Sequence, residues 1–357
     1  MKARTIAIDC RLIGQSGIGT FIENVVYYMV KSTDHKFVLI GNSDTLAKYA
    51  GLQNCQVTDC RWGSFTAQEL LRFPTRVVNR CDAFFTPNFN IPMGIRVPIF
   101  ATIHDVVFFD VEGICSPLGK LVRRLYIQRA LNISRTVFTV SHFSKGRIET
   151  HFHPQCPIRV CYSGISQQLE VYKREHEPEK NARKRQIVFL GNLKKQKGIG
   201  ILLEAFRKAK EQGLGDMRLV IIGNIDFKTK DPAVIDFVQQ RHDDIEYVRG
   251  ASNQQVYDLL SESMALVSPS LYEGLGLPPL EAMYLGTQAI ISDIPVYQEI
   301  YGQTNATFFR SGDADDLCRK LLQLRPAAAD LRGLVEQRLH FSRVSSCILA
   351  AIKASLQ

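Results

Sequence analysis

The sequence predicts an α/β protein built from two doubly wound parallel-sheet domains in series. Three observations carry this expectation. Short apolar runs recur along the chain, each ending at a polar or turn residue, as in "TIAIDCRL" and "IVFLGN". Stretches with helical apolar spacing separate them, as in "FIENVVYYMVK" and "GILLEAFRKAKEQG". The alternation breaks once, at "EVYKREHEPEKNARKRQ", where charge is dense and apolar period is absent, and then restarts. At 357 residues the chain is also too long for one ordinary core.

Each element follows in order. In the first half the strand "TIAIDCRL" ends at the glycine loop "GQSGIGT", which leads into the helix "FIENVVYYMVK". "KFVLIGN", "AFFTPN", "VPIFATIHD" and "TVFTVS" read as further buried strands. In the second half come the strands "IVFLGN", "MRLVIIGN", "IEYVRG", "MALVSPS" and "QAIISD". Between them lie the helix "GILLEAFRKAKEQG", one near Pro232–Arg241, and "NQQVYDLLSES". The expected boundaries are an N-terminal domain over 1–170, a linker over 171–186 and a C-terminal domain over 187–339. The last segment, 340–357, reads as an amphipathic helix that can join the first domain, although the sequence does not say which domain it packs on.

Composition is that of a folded globular protein, 45% hydrophobic and 22% charged. No apolar run reaches bilayer length, and Asp9 interrupts the place where a signal peptide would continue, so a cytoplasmic location is expected. Nine scattered cysteines without Cys-x-x-Cys spacing are expected to be thiols. Residues 1–175 hold 21 Lys and Arg against 13 Asp and Glu; the remainder holds 23 against 22. A basic first half points to an anionic partner. Nucleic acid is not the expected one, because the basic segments lack interleaved aromatics and a recognisable motif. "LGKLVRRLYIQRAL" and "QELLRFPTRVVNR", with Lys and Arg beside apolar residues at helical spacing, read either as solvated helix faces or as a patch for an anionic membrane surface.

The densest chemistry lies in "SLYEGLGLPPLEAMYLG", Ser270 to Gly286. Pro278 and Pro279 suit the first helical positions and Gly286 the stop. Glu281 is then expected in the first helical turn, where the helix dipole favours a carboxylate. Glu273 stands in the loop ahead, and Gly274 and Gly276 let backbone N–H groups approach an anion or a sugar closely. Lys197 precedes Gly198 and a helix start, a ready anion site. His104 ends the strand "VPIFATIH" with Asp105 after it; an ordinary core histidine is the competing reading. Gly17 and Gly19 open the first helix, but Ile22 stands where a dinucleotide fingerprint needs its third glycine. "DADD", Asp313–Asp316, reads as a helix N-cap rather than a metal motif, and "HFHPQC" lacks zinc spacing.

These residues resemble the retaining glycosyltransferases of the GT-B fold, family 4 in particular. The Glu-x7-Glu stretch is the most specific match, and "IDCRLIGQSGIGTF", "TIHDVVFF", "VSHFSKGRI", "FLGNLKKQKGI" and "LVIIGN" extend the resemblance over almost the whole chain. The resemblance implies two Rossmann-like domains facing across a cleft, the first for an acceptor and the second for a nucleotide-diphosphate sugar. It implies Glu273, His104 and Lys197 as catalytic residues. Donor contacts would come from Gly17, Gly19, Asp105, Gln196, Lys197, Gly223, Gly274, Leu275, Gly276, Leu277 and Glu281. Glu281 would accept from the ribose hydroxyls, and Lys197 and Gly19 would stabilise the diphosphate. Gln196 stands where the family usually has arginine, which leaves Lys194 or Lys195 to supply a second charge. No metal and no cofactor are implied, since the sugar nucleotide is a substrate. The resemblance extends to bacterial mannosyltransferases of cell-envelope polysaccharide synthesis, hence GDP-mannose as donor. A saccharide or lipid-linked acceptor is implied, with the enzyme cytoplasmic or peripheral on the inner face of the cell membrane. A sugar-nucleotide epimerase and a non-catalytic anion-binding protein are the competing readings.

Overall fold

The computed structural model of the chain describes residues 3–31, 35–62, 69, 72–176, 183–225, 232–239, 243–331 and 333–357. The middle of the expected linker, 177–182, lies outside the described residues, as do Gln68, Leu70 and Leu71 of the basic "QELLRFPTRVVNR" segment and Arg241. The chain forms two compact units: Met1–Phe109, Cys115–Ser166 and Arg338–Gln357 in one, Asp110–Ile114 and Gln167–Gln337 in the other.

The first unit runs β1 (Thr5–Asp9), α1 (Ser16–Lys31), β2 (Lys36–Gly41), α2 (Ser43–Ala50), β3 (Cys55–Asp59), α3 (Thr75–Val78), β4 (Ala83–Thr86), β5 (Ile99–Thr102), α4 (Val107–Asp110), α5 (Pro117–Ile133), β6 (Thr136–Thr139), α6 (His142–His151) and β7 (Ile158–Val160). Its sheet has the order β3-β2-β1-β4-β5-β6-β7, all parallel. The apolar runs are continuous because both faces are covered. Ile6, Ile8 and Phe85 pack on one side with α1, and Ala7, Val38 and Phe84 on the other.

The second unit runs α7 (Gln167–Glu175), β8 (Lys184–Leu190), α8 (Ile199–Glu211), β9 (Arg218–Ile222), α9 (Pro232–Gln239), β10 (Ile245–Val248), α10 (Asn253–Glu262), β11 (Ser263–Ser268), α11 (Leu277–Tyr284), β12 (Gln288–Ser292), α12 (Pro295–Tyr301), β13 (Thr307–Phe309), α13 (Ala314–Leu322) and α14 (Leu334–Gln337). The sheet order is β10-β9-β8-β11-β12-β13, again all parallel.

The final helix, α15 (Phe341–Ser355), returns to the first unit. Phe341, Val344, Ile348 and Ile352 join the core beneath α1, and Ser345 Oγ–H donates to Val25 O at 3.0 Å. Two expectations are corrected here, and the break that Pro74 suggests in the second basic segment is seen. The linker reading of 171–186 takes in the end of α7 and the start of β8; Leu169 and Tyr172 bury one side of that helix amid its charges. Not every cysteine is a thiol: Cys161 and Cys347 form a disulfide that ties α15 to the end of β7. The arginines of "LRFPTRVVNR" do not share one helix, since α3 spans only Thr75–Val78 and Arg72 lies ahead of Pro74.

Candidate functional site

Each sheet has one switch point, where the strand order turns outward in the opposite direction: β1/β4 in the first unit and β8/β11 in the second. Ligands of open α/β sheets bind outside the strand carboxyl ends at such points.

In the second unit two loops meet there. The loop after β8 makes a 3-10 turn over Lys195–Lys197 and reaches Gly198, which starts α8 in the left-handed region at φ 66°. A Cβ on Gly198 would sit 2.0 Å from Pro269 O, so only glycine permits the approach to the loop after β11. A backbone bond from Leu271 N–H to Gln196 O, 2.8 Å, fastens the two loops. Across this contact Lys197 Nζ lies 2.6 Å from Glu273 Oε1. Ser270 Oγ–H donates to the same oxygen at 2.7 Å. The pair is not sealed: the side chains are 22% and 11% exposed. Gln196 Oε1 is buried without a hydrogen-bond partner. Lys195 Nζ turns away to Glu112 O at 3.4 Å, and Lys194 precedes the 3-10 turn. Lys197 is thus the lysine of this loop that meets Glu273.

The Glu273 loop rests on two buried tyrosines. Tyr301 O–H donates to Gly276 O at 2.5 Å, and Tyr297 and Ser268 share a 2.7 Å hydroxyl hydrogen bond. Gly276 has φ 84°, and a Cβ there would lie 2.3 Å from Tyr297 Cε1. Leu275 is buried, and Gly274 lies between it and Glu273. Neither α8 nor α11 has a side-chain N-cap; at the start of α8 this leaves the Ile199 and Gly200 amides for other acceptors, whereas in α11 Pro278 and Pro279 carry no N–H and only Leu277 keeps one among the first three residues. Gly223, after β9, is required by packing: a Cβ would lie 2.0 Å from Gly191 O.

Glu281 departs from expectation. Gly276 starts the helix early, so Leu277 is its first residue and Glu281 its fifth, past the first turn. The dipole fades there. Desolvation governs instead and pushes the Glu281 carboxyl up to about 7.

In the first unit His104 follows β5. Its Nε2 lies 3.0 Å from Pro87 O, and a carbonyl only accepts, so Nε2 carries the proton and Nδ1 is left as an acceptor. Burial pushes His104 down to about 4, with the Pro87 contact opposing. Its ring meets Phe21 edge-on. Asp105 accepts from Val107 N–H at 3.1 Å, starting α4. Gly19 N–H donates to Gln15 O, and a Cβ there would strike Leu12 O at 2.3 Å. A Cβ on Gly17 would meet nothing within 4 Å.

Sequence reasoning missed one charged cluster. Arg11 donates to both Asp9 oxygens, at 2.8 and 2.7 Å, and to Glu69 at 2.6 Å, all three residues being under 10% exposed. Asn90 donates to Glu69 and Thr86 to Asp9, while Arg11 stacks on Phe73. Asp9 and Arg11 stood in the quoted strand end; Glu69 lies 58 positions away, and nothing local announces it. "DADD" is a helix start: Asp313 caps α13 through Asp316 N–H, and Asp315 pairs with Lys208.

The family model described as "Glycosyl transferases group 1" matches residues 172–326, within the second unit. In sequence the chain resembles bacterial mannosyltransferases. It is 27% identical over 215 residues to O-antigen chain mannosyltransferase RfbU of Salmonella typhimurium, covering 59% of this chain and 56% of that protein. It is 24% identical over 249 residues to O-antigen chain mannosyltransferase B of Escherichia coli, covering 66% and 63%. The matches thus span less than two thirds of these relatives. Among solved structures, Anabaena HepE in complex with UDP and glucose superposes with a TM-score of 0.72 at 14% identity, over 98% of this chain and 100% of that one. Together with the two parallel sheets, this likeness shows the GT-B fold.

Proposed function

We propose that this chain is a glycosyltransferase that moves a hexose from a nucleotide-diphosphate sugar to a saccharide or lipid-linked acceptor in cell-envelope polysaccharide synthesis. The observation that carries the reading is the partly open Lys197–Glu273 pair at the second switch point, between two helix starts without side-chain caps. A diphosphate supplies the anion that such a place attracts: Lys197 contributes a full charge, and the first-turn amides of α8, with Leu277 N–H of α11, contribute donors. As the sugar–phosphate bond breaks, negative charge grows on the leaving diphosphate. Donors already fixed in place stabilise that charge with little reorganisation. Binding would draw Lys197 from Glu273 towards phosphate, leaving Glu273 to face the electron-poor sugar carbon. Glu281 would accept from ribose hydroxyls, and His104 Nδ1 would accept from a sugar hydroxyl.

The mannosyltransferase relatives favour mannose as the sugar, and GDP-mannose is the donor proposed. HepE, whose structure holds UDP and glucose, makes UDP-glucose the comparison donor. Transfer is assigned as retaining, with the acceptor hydroxyl attacking the face that the diphosphate leaves, and as independent of metal.

The test has three parts. Thermal stabilisation is measured across a panel of sugar nucleotides, where a ligand at about 100 times its Kd adds about 2.7 kcal/mol. Transfer is then assayed with the stabilising donor with and without EDTA, and the anomeric configuration of the product is read by NMR. Stabilisation by no sugar nucleotide overturns the reading; an inverted product or a need for Mn²⁺ or Mg²⁺ overturns the mechanistic part. Product formed without any acceptor would favour epimerisation.

A further inference from the structure

Helix α5 has two apolar faces where a surface helix ordinarily has one. Successive helical residues turn by about 100°. Ile127, Ala130 and Leu131 therefore share a side, and all three are buried against the first unit. Leu118, Leu121, Val122 and Leu125 fall on the opposite side at the i, i+3, i+4, i+7 spacing of a continuous stripe. They are 70%, 53%, 41% and 63% exposed. Isolated exposed leucines are common; four in one stripe on a single helix mark an interaction surface. Beside the stripe, Arg129 Nη1 donates to Ile91 O at 2.6 Å, and Met93, two residues on in the chain, is 52% exposed.

Charge selects the occupant. The seventeen residues of α5 hold Lys120, Arg123, Arg124 and Arg129 and no acidic residue. Aromatic rings and backbone carbonyls hold the basic groups in place: Arg123 lies over Phe108, and Arg124 over Phe109 and Phe152 with Nη1 on His151 O. Lys120 Nζ approaches Phe109 O. Arg129 lies beside the stripe and Lys120, Arg123 and Arg124 lie on the other sides of the helix; an aliphatic face on a helix whose remaining positions carry cations and no carboxylate is the pattern of a helix lying in a membrane interface. A second copy of the chain fits worse, because pairing two α5 helices brings two sets of four cations near one another with no carboxylate on either helix.

We propose that α5 is a docking face for an anionic lipid bilayer, with Leu118, Leu121, Val122 and Leu125 entering the interface. No described helix is long and apolar enough to span a membrane, so the contact is peripheral and reversible. The proposal uses the first unit alone and stands whether or not the chain transfers sugar.

The experiment is flotation of the full chain with phosphatidylcholine vesicles containing increasing phosphatidylglycerol. Bound fraction is expected to rise with anionic lipid and to fall as salt goes from about 0.05 M to about 0.5 M. The double variant Leu121→Gln/Leu125→Gln is expected to keep its melting temperature, since both side chains are exposed, and to lose at least about tenfold in partition coefficient. Failure of the wild-type chain to float with anionic vesicles overturns the proposal. So does equal binding by the double variant. Sedimentation without vesicles covers the remaining case: a dimer that the double variant abolishes would assign the face to a second copy and reject the lipid.

Discussion

The two switch points of this molecule are built on the same topology and filled in opposite ways. In the first unit the crevice at β1/β4 is closed by the chain's own charges: Arg11 is held between Asp9 and Glu69, all three deeply buried. In the second unit the crevice at β8/β11 holds Lys197 and Glu273, which remain partly accessible, with Ser270 donating to the same Glu273 oxygen. Buried charges are expensive unless paired, and Arg11 keeps both carboxylates paired even though its Nη1 is buried without a hydrogen-bond partner. Such a buried triad is committed to the fold, whereas a half-open pair retains capacity for a ligand. The difference separates a structural use of charge from a binding use within one chain.

The sharpest way to break that contrast is Arg11→Met. It leaves two carboxylates buried without their cation and is expected to lower unfolding free energy by about 3–5 kcal/mol in urea titration. A loss below about 1 kcal/mol would show that the triad is not committed to the fold. Lys197→Ala should act on turnover instead. Its expected cost is about 2–4 kcal/mol in kcat/KM, with stability changed by less than about 1 kcal/mol. Glu273→Gln should follow the same pattern. If Lys197→Ala is silent and Lys195→Ala is not, the second switch point has been assigned to the wrong lysine.

Glu281 gives a pH test. Its carboxyl sits near 7 in the folded chain against an ordinary 4.5, so the folded state binds the extra proton. Stability is then full below about 4.5 and lost as pH rises through about 7, by at most about 3 kcal/mol. Glu281→Gln should flatten that slope and be the more stable protein at pH 8. If wild type and variant show parallel stability profiles from pH 4 to 8, desolvation is not what governs this group.

The sequence showed the central strands and the edge strand β10 but hid the other edges, for a physical reason. Runs such as "AFFT" and "MALVS" lie between neighbours and are buried throughout. The strands that pattern reading passed over, β3, β7 and β13, each lie at a sheet edge, where partial exposure breaks the apolar run. The candidate site was legible where it is local, since Lys197 and Glu273 each sit in a loop that ends a strand and opens a helix. It was hidden where it depends on folding: Glu69 reaches Arg11 from a remote segment, and the start of α11 is set by Gly276 against Tyr297. The partner of α15 was hidden for the same reason, because an apolar face announces burial without saying against what.

The smallest expected effect comes from two glycines on one helix. Gly19 is constrained by the fold: a Cβ would lie 2.3 Å from Leu12 O, a backbone atom that cannot move aside cheaply. Gly19→Ala should therefore destabilise the first unit by about 1–3 kcal/mol, as overpacking does. Gly17 has open space around the same position, and it lies in a helix, where alanine is favoured over glycine by about 0.5–1 kcal/mol. Gly17→Ala should leave stability unchanged or slightly raised. Its effect on sugar-nucleotide affinity then isolates a role in binding, since no folding cost obscures it. A raised KM with unchanged melting would keep Gly17 among the donor contacts. An unchanged KM would remove Gly17 from the donor contacts and leave the glycine loop, like the Arg11 triad beside it, in the service of the fold.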